Sequence, residues 1–419
     1  MAMPSFRPEI LSRIRRIPIA QRLKARFGRR RHEQRVEGFL RARDGRAGRL
    51  PLGVVYETTM RCNLRCEFCY VGELLNIEGE WRSELTLEAL ERAFPAAGGL
   101  QVSLTGGEVF VRKDILDVLD LFRRKGYSCG YLTTNGTVID ERRAEALAEL
   151  ARSGFLRHVT VSIDGPGETH DRARGVAGTF ARAAAGLRRM QQAARAKGAA
   201  LNVSINTTVT RETLDALDRM VDVAEELGVD AIGVNHLMYA TPDEVEKTAR
   251  LACDGNLSAI STFVTADAGV TPALVREKLA VLDRRCRERG IRFDVRPKVR
   301  PALMDAYYTP GTPLGGRCFY PFLHARVGFS GKVFFCPFIR VEVGDLTVST
   351  LEEVWNSPRY VDLRRRLLER GLFPVCRRCC KVELAPEPLN IPAPAKLTGR
   401  RVIQLTVQND APRPKGRTQ

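Results

Sequence analysis

The chain has 419 residues, of which 44% are hydrophobic and 28% charged, and its formal net charge is +18. This composition is typical of a folded globular protein, and no stretch approaches the ~18 consecutive apolar residues of a membrane-spanning helix. The length exceeds the size at which one hydrophobic core keeps growing, so we expect one large domain and a smaller one. Eleven cysteines without an export signal favour metal binding over disulfides and predict a cytoplasmic location.

Positive charge is concentrated at the N-terminus. Residues 1–50 contain 15 Lys/Arg and 4 Asp/Glu, a balance of +11. Ile10, Ile14 and Ile17 fall on one helical face, and a second apolar stripe follows Pro18. The pattern predicts a basic amphipathic extension over residues 1–50, and two roles stay open for it. It either lies on an anionic membrane surface as a peripheral contact or packs on its own domain.

Strand-like and helix-like segments alternate over the next part of the chain. Strands are predicted to begin near residues 53, 100, 127, 157, 201 and 231, with helices between them. Six such repeats predict parallel strands with crossover helices, and they fall short of the eight units of a complete TIM barrel. We therefore predict an α/β fold with a partial (β/α)6 barrel over residues 51–300. Its chemistry should lie at the carboxyl ends of the strands.

Three cysteines follow the first predicted strand with the spacing CxxxCxxC: Cys62, Cys66 and Cys69. An iron–sulfur cluster held by cysteine normally uses four thiolates. A three-cysteine site would therefore leave one iron open to an exchangeable ligand, and an open position is typical of a reactive metal. A zinc knuckle is the alternative for this loop.

Glycine and polar residues follow the later strands. Gly106, Gly107 and Glu108 close the second predicted strand, and adjacent glycines allow a close backbone approach. Polar residues near the ends of the third to fifth strands are Asn135, Ser162, Asp164, Arg174 and Asn206. Unpaired burial of such groups costs stability, so a polar ligand is a reasonable partner. Ordinary turn chemistry is the alternative for the Asn-Gly and Asp-Gly pairs.

A second group of cysteines lies in a predicted small C-terminal domain, residues 301–384. A linker rich in Pro and Gly over residues 297–316 is predicted to precede a hairpin (324–329 and 332–337), and a helix should then run from about residue 350 to Gly371. The candidate metal ligands are Cys318, Cys336, Cys376 and Cys379, and Cys380 competes with Cys379. A four-cysteine zinc site is the alternative. Residues 385–419 are predicted to form a Pro-rich basic tail.

The cysteine loop, with Phe68 directly before its last cysteine, resembles the cluster motif of the radical S-adenosylmethionine (SAM) superfamily. The resemblance implies a [4Fe–4S] cluster whose open iron is chelated by SAM. It also implies reductive cleavage of SAM to a 5′-deoxyadenosyl radical, which abstracts hydrogen from an unactivated C–H bond. In that family a motif similar to Gly106-Gly107-Glu108 binds the methionyl amino group. By the same resemblance, Ser162 and Arg174 would hold the SAM carboxylate. The residues expected near the ribose or the substrate are Asn135, Asp164 and Asn206.

The C-terminal cysteines resemble those of the twitch domain, a shortened relative of the SPASM domain with one auxiliary [4Fe–4S] cluster. An auxiliary cluster near the substrate implies a net oxidation by an oxidoreductase-type enzyme. The expected partners are a small-molecule or peptide substrate and an acidic electron donor, flavodoxin or ferredoxin, which the basic surface suits. Two alternatives stay open: the same chemistry on a membrane lipid through residues 1–50, and nucleic-acid modification or a non-catalytic iron–sulfur or zinc module. Nucleic acid ranks last because only the charge suggests it.

Overall fold

The computed structural model describes residues 38–39, 42–312 and 314–385. Most of the predicted N-terminal extension and nearly all of the predicted tail lie outside these ranges. The boundaries drawn at residues 51, 301 and 385 therefore stay predictions. Where the extension is described, it packs on the rest of the chain: Phe39 stacks on Phe322 at 5.2 Å between ring centroids, and Arg49 pairs with Glu352 at 2.7 Å.

The described strands and helices occupy the following positions in chain order. The strands are β1 (Gly53–Glu57), β2 (Gln101–Thr105), β3 (Ser128–Thr134), β4 (His158–Ser162), β5 (Asn202–Thr208), β6 (Ala231–Asn235), β7 (Tyr239–Ala240), β8 (Phe263–Val264), β9 (Arg292–Arg296), β10 (Gly315–Arg317), β11 (His324–Val327), β12 (Lys332–Phe334), β13 (Glu342–Asp345) and β14 (Glu383–Ala385). The α-helices are α1 (Leu87–Ala93), α2 (Ile115–Arg124), α3 (Glu141–Arg152), α4 (Gly167–Arg174), α5 (Thr179–Ala196), α6 (Arg211–Leu214), α7 (Met220–Glu226), α8 (Pro242–Ala252), α9 (Pro272–Glu288), α10 (Met304–Tyr308), α11 (Tyr320–Leu323), α12 (Leu351–Trp355) and α13 (Pro358–Arg370).

A ten-stranded sheet has the order β13-β12-β11-β1-β2-β3-β4-β5-β6-β9. Strands β1 to β6 are parallel neighbours in chain order, which confirms the six predicted βα units. Two more parallel strands extend them, β9 beside β6 and β11 beside β1. In the part of the chain that the structure describes, the edge strands β9 and β13 do not pair with each other, so the barrel is open.

Side chains alternate between the two faces of this sheet, as the pleat requires. Val54, Tyr56, Val102 and Leu104 are buried in the core beneath the surrounding helices. The intervening residues of the same strands, such as Glu57, face the inside of the barrel and are mostly polar. The barrel therefore has an apolar outer layer and a polar interior, which suits the handling of a polar ligand.

The C-terminal hairpin is confirmed, with Val327 opposite Val333, and it continues the barrel sheet because β11 also pairs with β1. The predicted capping box is present: Thr350 accepts from Glu353 N at the start of α12. The predicted long helix is broken into α12 and α13, and it ends at Gly371 as expected.

The interpretation of residues 297–316 as a linker was wrong in part. This segment contains α10, whose Tyr307 and Tyr308 are fully buried. The Tyr307 hydroxyl lies 3.0 Å from the Leu237 carbonyl, so tertiary packing orders a segment whose sequence shows no clear period. Among the described residues, no helix has the length and apolar character needed to cross a bilayer.

Candidate active site

The three cysteines of the CxxxCxxC loop line a cavity of about 150 Å³ at the carboxyl end of β1. Two backbone contacts fix the first cysteine: Cys62 N donates to Asn76 Oδ1 (3.0 Å), and Leu64 N donates to Cys62 Sγ (3.5 Å). Burial raises the pKa of Cys62 to about 11 and also raises that of Cys69. Metal binding must therefore displace protons from these thiols.

The two glycines after β2 let the second loop lie directly on the cysteine loop. Gly107 N donates to Thr59 O at 2.8 Å, and Glu108 N donates to Arg61 O at 2.9 Å. A Cβ at Gly106 would lie 2.2 Å from Thr59 O, and one at Gly107 would lie 2.3 Å from Arg61 O. Glycine is thus required at both positions by close backbone approach.

We expect Gly107→Ala to displace the cysteine loop, because the added methyl meets a backbone carbonyl that cannot move alone. The variant should lose the cluster of this loop, about four iron atoms per chain after anaerobic reconstitution. Gly48→Ala is the matched control, since a Cβ there meets only one atom, at 3.9 Å. A Gly107→Ala protein with full iron content would contradict the packing argument.

Glu108 joins the ends of β2 and β3. Its buried carboxylate accepts from Thr134 Oγ1 and Asn135 N, each at 2.7 Å, and from Phe110 N at 3.1 Å. Burial raises its pKa, while these hydrogen bonds oppose the rise. The carboxylate therefore positions Asn135 at the cavity, and its contact with the SAM amino group stays a prediction.

Asn135 lines the cavity and is tied to the cysteine loop. Its Nδ2 donates to Asn63 Oδ1 at 2.9 Å, and Asn63 Nδ2 donates to Thr137 Oγ1 at 2.8 Å. Sequence reasoning missed Asn63 and Thr137. The available signal was an amide between the first two cysteines, which has no recognisable partner until the fold is known.

Arg174 reaches the same cavity from the end of α4. Its Nη2 lies 2.6 Å from Asp164 Oδ2, its Nη1 lies 3.7 Å from Cys66 Sγ, and its guanidinium sits over the Phe68 ring at 5.6 Å. Its buried Nε has no hydrogen-bond partner among the described residues. Leaving such a donor unpaired is costly, so an anionic ligand group at this cavity fits the residues present. Ser162 lines the same cavity.

Two other predicted residues lie outside the cavity wall. Asp164 is fully buried, and its Oδ1 accepts from Thr208 N at 2.8 Å, so it orients Arg174. Asn206 lies against Gly233, where a Cβ would be 2.7 Å from Asn206 Oδ1. Asn135, Ser162 and Arg174 therefore line the cavity of the cysteine loop, whereas Asp164 and Asn206 do not. The ligand contacts predicted for all five residues stay predictions.

The second group of cysteines converges from three segments. Cys318 follows β10, Cys336 follows β12, and Cys376 and Cys379 follow α13. Burial raises the pKa of Cys318 to about 12, and its electrostatic neighbours include Cys336 and Cys380. Burial likewise raises the pKa of Cys376, with Cys336 and Cys318 as neighbours. Within the described ranges, no three Cys, His, Asp or Glu side chains are placed to hold a single metal ion. In a four-iron cluster each thiolate binds a different iron, so such ligands lie further apart than around one ion.

The competition between Cys379 and Cys380 stays open. Cys379 Sγ accepts from Lys381 N at 3.5 Å, as Cys336 Sγ accepts from Ile339 N at 3.2 Å. Backbone N–H groups at cluster sulfurs are a usual means of tuning them. A hydrogen bond with Cys379 lowers the pKa of Cys380 to about 6, although burial opposes this.

Arg378, inside the Cys-Arg-Arg-Cys segment, is a buried anchor that sequence reasoning missed. Its Nη1 donates to both carboxylate oxygens of Glu244 on α8, at 2.9 and 3.0 Å. Its Nε donates to Tyr307 O at 2.7 Å, and its guanidinium lies 4.7 Å from the Tyr239 ring centroid. An arginine between two cysteines is typical of a surface charge, so only the fold identifies this role.

We expect Arg378→Met to lose the auxiliary iron, about four atoms per chain, while the cluster of the first loop is kept. The substitution leaves Glu244 buried without its partner, a loss on the order of 3–5 kcal/mol. Arg377→Met is the matched control, because Arg377 approaches Glu244 only to 3.6 Å. Iron analysis of both purified variants checks this, and full iron in Arg378→Met would contradict it.

A buried ion cluster joins the two groups of cysteines. Glu57, the last residue of β1, accepts from Arg326 Nη2 at 2.6 Å and from Arg340 Nη1 at 2.7 Å. Arg326 Nη2 also donates to the hydroxyl of Tyr70, the residue after Cys69, at 3.0 Å. Burial alone would raise the pKa of Glu57, but the two guanidinium groups lower it to about 2. Strand β1, the cysteine loop and the segment after Cys336 are therefore held together by one carboxylate.

Comparison with known families identifies a domain around each group of cysteines. Residues 56–224 match the radical SAM superfamily, and residues 318–380 match the SPASM iron–sulfur cluster-binding domain. The chain therefore contains a radical SAM domain and a SPASM-type iron–sulfur domain. The radical SAM domain implies a [4Fe–4S] cluster and SAM, and the SPASM domain implies auxiliary iron–sulfur clusters.

Individual relatives cover different shares of the chain. The Fe-coproporphyrin III synthase of Methanosarcina barkeri is 34% identical over 190 residues, which are 45% of this chain and 44% of that protein. The AdoMet-dependent heme synthase of Oleidesulfovibrio alaskensis is 25% identical over 332 residues, 73% of this chain and 75% of that protein. The structure of Streptococcus suis SuiB bound to precursor peptide SuiA has a TM-score of 0.54 and 16% identity, covers 80% of this chain and 71% of its own, and so shows the shared fold.

Proposed function

We propose that this radical SAM enzyme removes a hydrogen atom from an unactivated C–H bond of a small molecule of the heme-precursor class, in a net oxidation. The observation that carries the proposal is the link that Glu57, Arg326 and Arg340 form between the CxxxCxxC loop and the segment after Cys336. The substrate class is supported by the heme synthase alignment, which extends over 73% of the chain and thus beyond the barrel.

The chain's own residues hold and orient the reactants. When bound, the cluster and SAM supply the 5′-deoxyadenosyl radical that takes the hydrogen atom. Cys62, Cys66 and Cys69 would hold the cluster, and Arg174 and Ser162, which line the same cavity, would accommodate the carboxylate of SAM. A net oxidation also requires that a second electron leave the substrate. The auxiliary cysteines support a net oxidation because an iron–sulfur cluster held by them would accept that electron.

The remaining partners belong to the same proposal. The net charge of +18 supports an acidic flavodoxin or ferredoxin as electron donor. A peptide is the second candidate substrate. SuiB is bound to its precursor peptide in the structure compared above, yet at 16% identity that likeness concerns the fold. The lipid alternative rests on the basic N-terminus, most of which lies outside the described residues, and the nucleic-acid alternative rests on the charge alone.

Anaerobic reconstitution followed by reduction tests the proposed function. We expect about eight iron atoms per chain, four for each cluster, and 5′-deoxyadenosine on reduction in the presence of SAM. The amount of 5′-deoxyadenosine formed should increase when a porphyrin with carboxylate side chains, with or without iron, is added. Mass spectrometry should then show an oxidised form of the porphyrin. About four iron atoms together with bound zinc would remove the auxiliary cluster from the account.

A further inference from the structure

We propose that Lys381 binds a carboxylate of the substrate, inside the barrel between the cysteine loop and the auxiliary cysteines. This inference rests on the proposed function, since it specifies the substrate chemistry of that same site. It concerns a residue directly after the last cysteine of the chain, to which sequence reasoning gave no role.

The position of Lys381 follows from its contact with Tyr131. Leu132 is fully buried in the core beneath the helices, so the preceding residue, Tyr131, faces the interior of the barrel. Lys381 Nζ lies 5.8 Å from the centroid of the Tyr131 ring. Thr133 follows on the same face of β3, about 7 Å further along the strand, and lines the cavity of the cysteine loop. The ammonium group of Lys381 therefore lies on the interior side, within reach of a molecule that occupies that cavity.

Lys381 interacts electrostatically with Cys380 and has no carboxylate partner among the described residues. Its side chain is exposed to solvent. Glu57 is already shared by two arginines, at 2.6 and 2.7 Å, and Arg296 pairs with Asp294 at 2.8 Å. By contrast, Lys332, on the surface of the hairpin, pairs with Glu342 at 3.0 Å.

The surrounding wall adds positive charge and a free hydroxyl. Glu57 with Arg326 and Arg340 makes a buried group of net charge +1. The hydroxyl of Tyr320, buried without a hydrogen-bond partner among the described residues, has Arg326 and Tyr131 as electrostatic neighbours. An anion that enters this space meets an accessible ammonium backed by a buried cation, and such an interaction is stronger than on an open surface.

A competing role for Lys381 is to balance the charge of the auxiliary cluster, because Cys379 and Cys380 precede it. The two roles predict different results. Charge balance alone would change the redox behaviour of the cluster when Lys381 is neutralised and would leave carboxylate binding intact. Carboxylate binding predicts a loss of affinity for an anionic probe while the iron content is retained.

The test uses the reconstituted holoenzyme and metal-free coproporphyrin III, a tetracarboxylate, followed by its fluorescence. We expect Lys381→Met to weaken binding at least about 10-fold, equivalent to about 1.4 kcal/mol, and Lys381→Arg to restore most of it by keeping the charge. Lys332→Met is the matched control and should bind like the wild type. The tetramethyl ester of the same porphyrin, which has no charge, should bind weakly and equally to all variants.

The outcomes separate this inference from the proposed function. Equal affinity of the wild type and Lys381→Met for coproporphyrin III overturns the inference about Lys381. A wild type that fails to bind the tetracarboxylate, or that binds the ester more tightly, also overturns it. Lys381→Gln provides a second neutral variant if the methionine variant loses iron. Cleavage of SAM by the wild type is measured without porphyrin, so a failure of the proposed function appears there and not in the titration.

Discussion

Cys66→Ala is expected to form no 5′-deoxyadenosine and to retain about four of about eight iron atoms. In a four-iron cluster, three thiolates leave one iron without a cysteine ligand and therefore open to SAM. Cys66 Sγ lies 3.7 Å from Nη1 of Arg174, at the same cavity. Removing one thiolate exposes a second iron and releases the cluster, while the auxiliary cysteines belong to other segments. Anaerobic iron analysis and chromatography of the reaction mixture measure both effects.

The control for this experiment is Cys129→Ala. Cys129 lies on β3 and belongs to neither group of cysteines. The Cys129→Ala variant should keep the iron content and the activity of the wild type. Detectable 5′-deoxyadenosine from Cys66→Ala, or loss of all iron from that variant, would contradict the assignment of two independent sites.

Glu57→Gln is expected to destabilise the holoenzyme by roughly 3–5 kcal/mol, because the amide leaves two buried guanidinium groups without a counterion. The pKa of Glu57 is lowered from its usual value of 4.5 to about 2. Its ionised form therefore stabilises the fold fully above about pH 4.5, and this contribution is lost as the pH falls toward 2. The shift corresponds to a free energy on the order of 3 kcal/mol.

Thermal unfolding followed by circular dichroism under anaerobic conditions measures this effect. The difference in melting temperature between the wild type and Glu57→Gln should be the same at pH 7 and pH 5, since both lie above the window in which Glu57 titrates. Glu73→Gln, at an exposed position after the cysteine loop, is the control and should melt like the wild type. A Glu57→Gln protein as stable as the wild type would show that the ion cluster contributes little.

The parts of the fold that could be predicted are those with local signals. The alternation of strand-like and helix-like segments located strands β1 to β6, and the spacing of Cys62, Cys66 and Cys69 located the reactive loop. Strand β9 and helix α10 were missed because each is ordered by contacts with distant segments, β9 by its pairing with β6 and α10 by the contact of Tyr307 with Leu237. Helix α4 was also missed, although its last residue, Arg174, was predicted as a site residue.

The residues that join the two sites could not be predicted in the same way. Glu57 and Arg326 are 269 positions apart in the chain, and Arg378 and Glu244 are 134 apart. A carboxylate at the end of a strand and an arginine between two cysteines carry no periodic or spacing signal. Their role depends on a partner that only the tertiary structure supplies.

Electron paramagnetic resonance of the reduced protein, with and without SAM, shows whether SAM binds to an iron of the cluster held by the CxxxCxxC loop. The sample is the Cys318→Ala/Cys376→Ala variant, so that only the cluster of the CxxxCxxC loop contributes to the spectrum. We predict a clear change of the spectrum when SAM is added, because its amino and carboxylate groups would chelate the iron that lacks a thiolate. A spectrum that SAM leaves unchanged, or zinc in place of iron at this loop, would contradict the account.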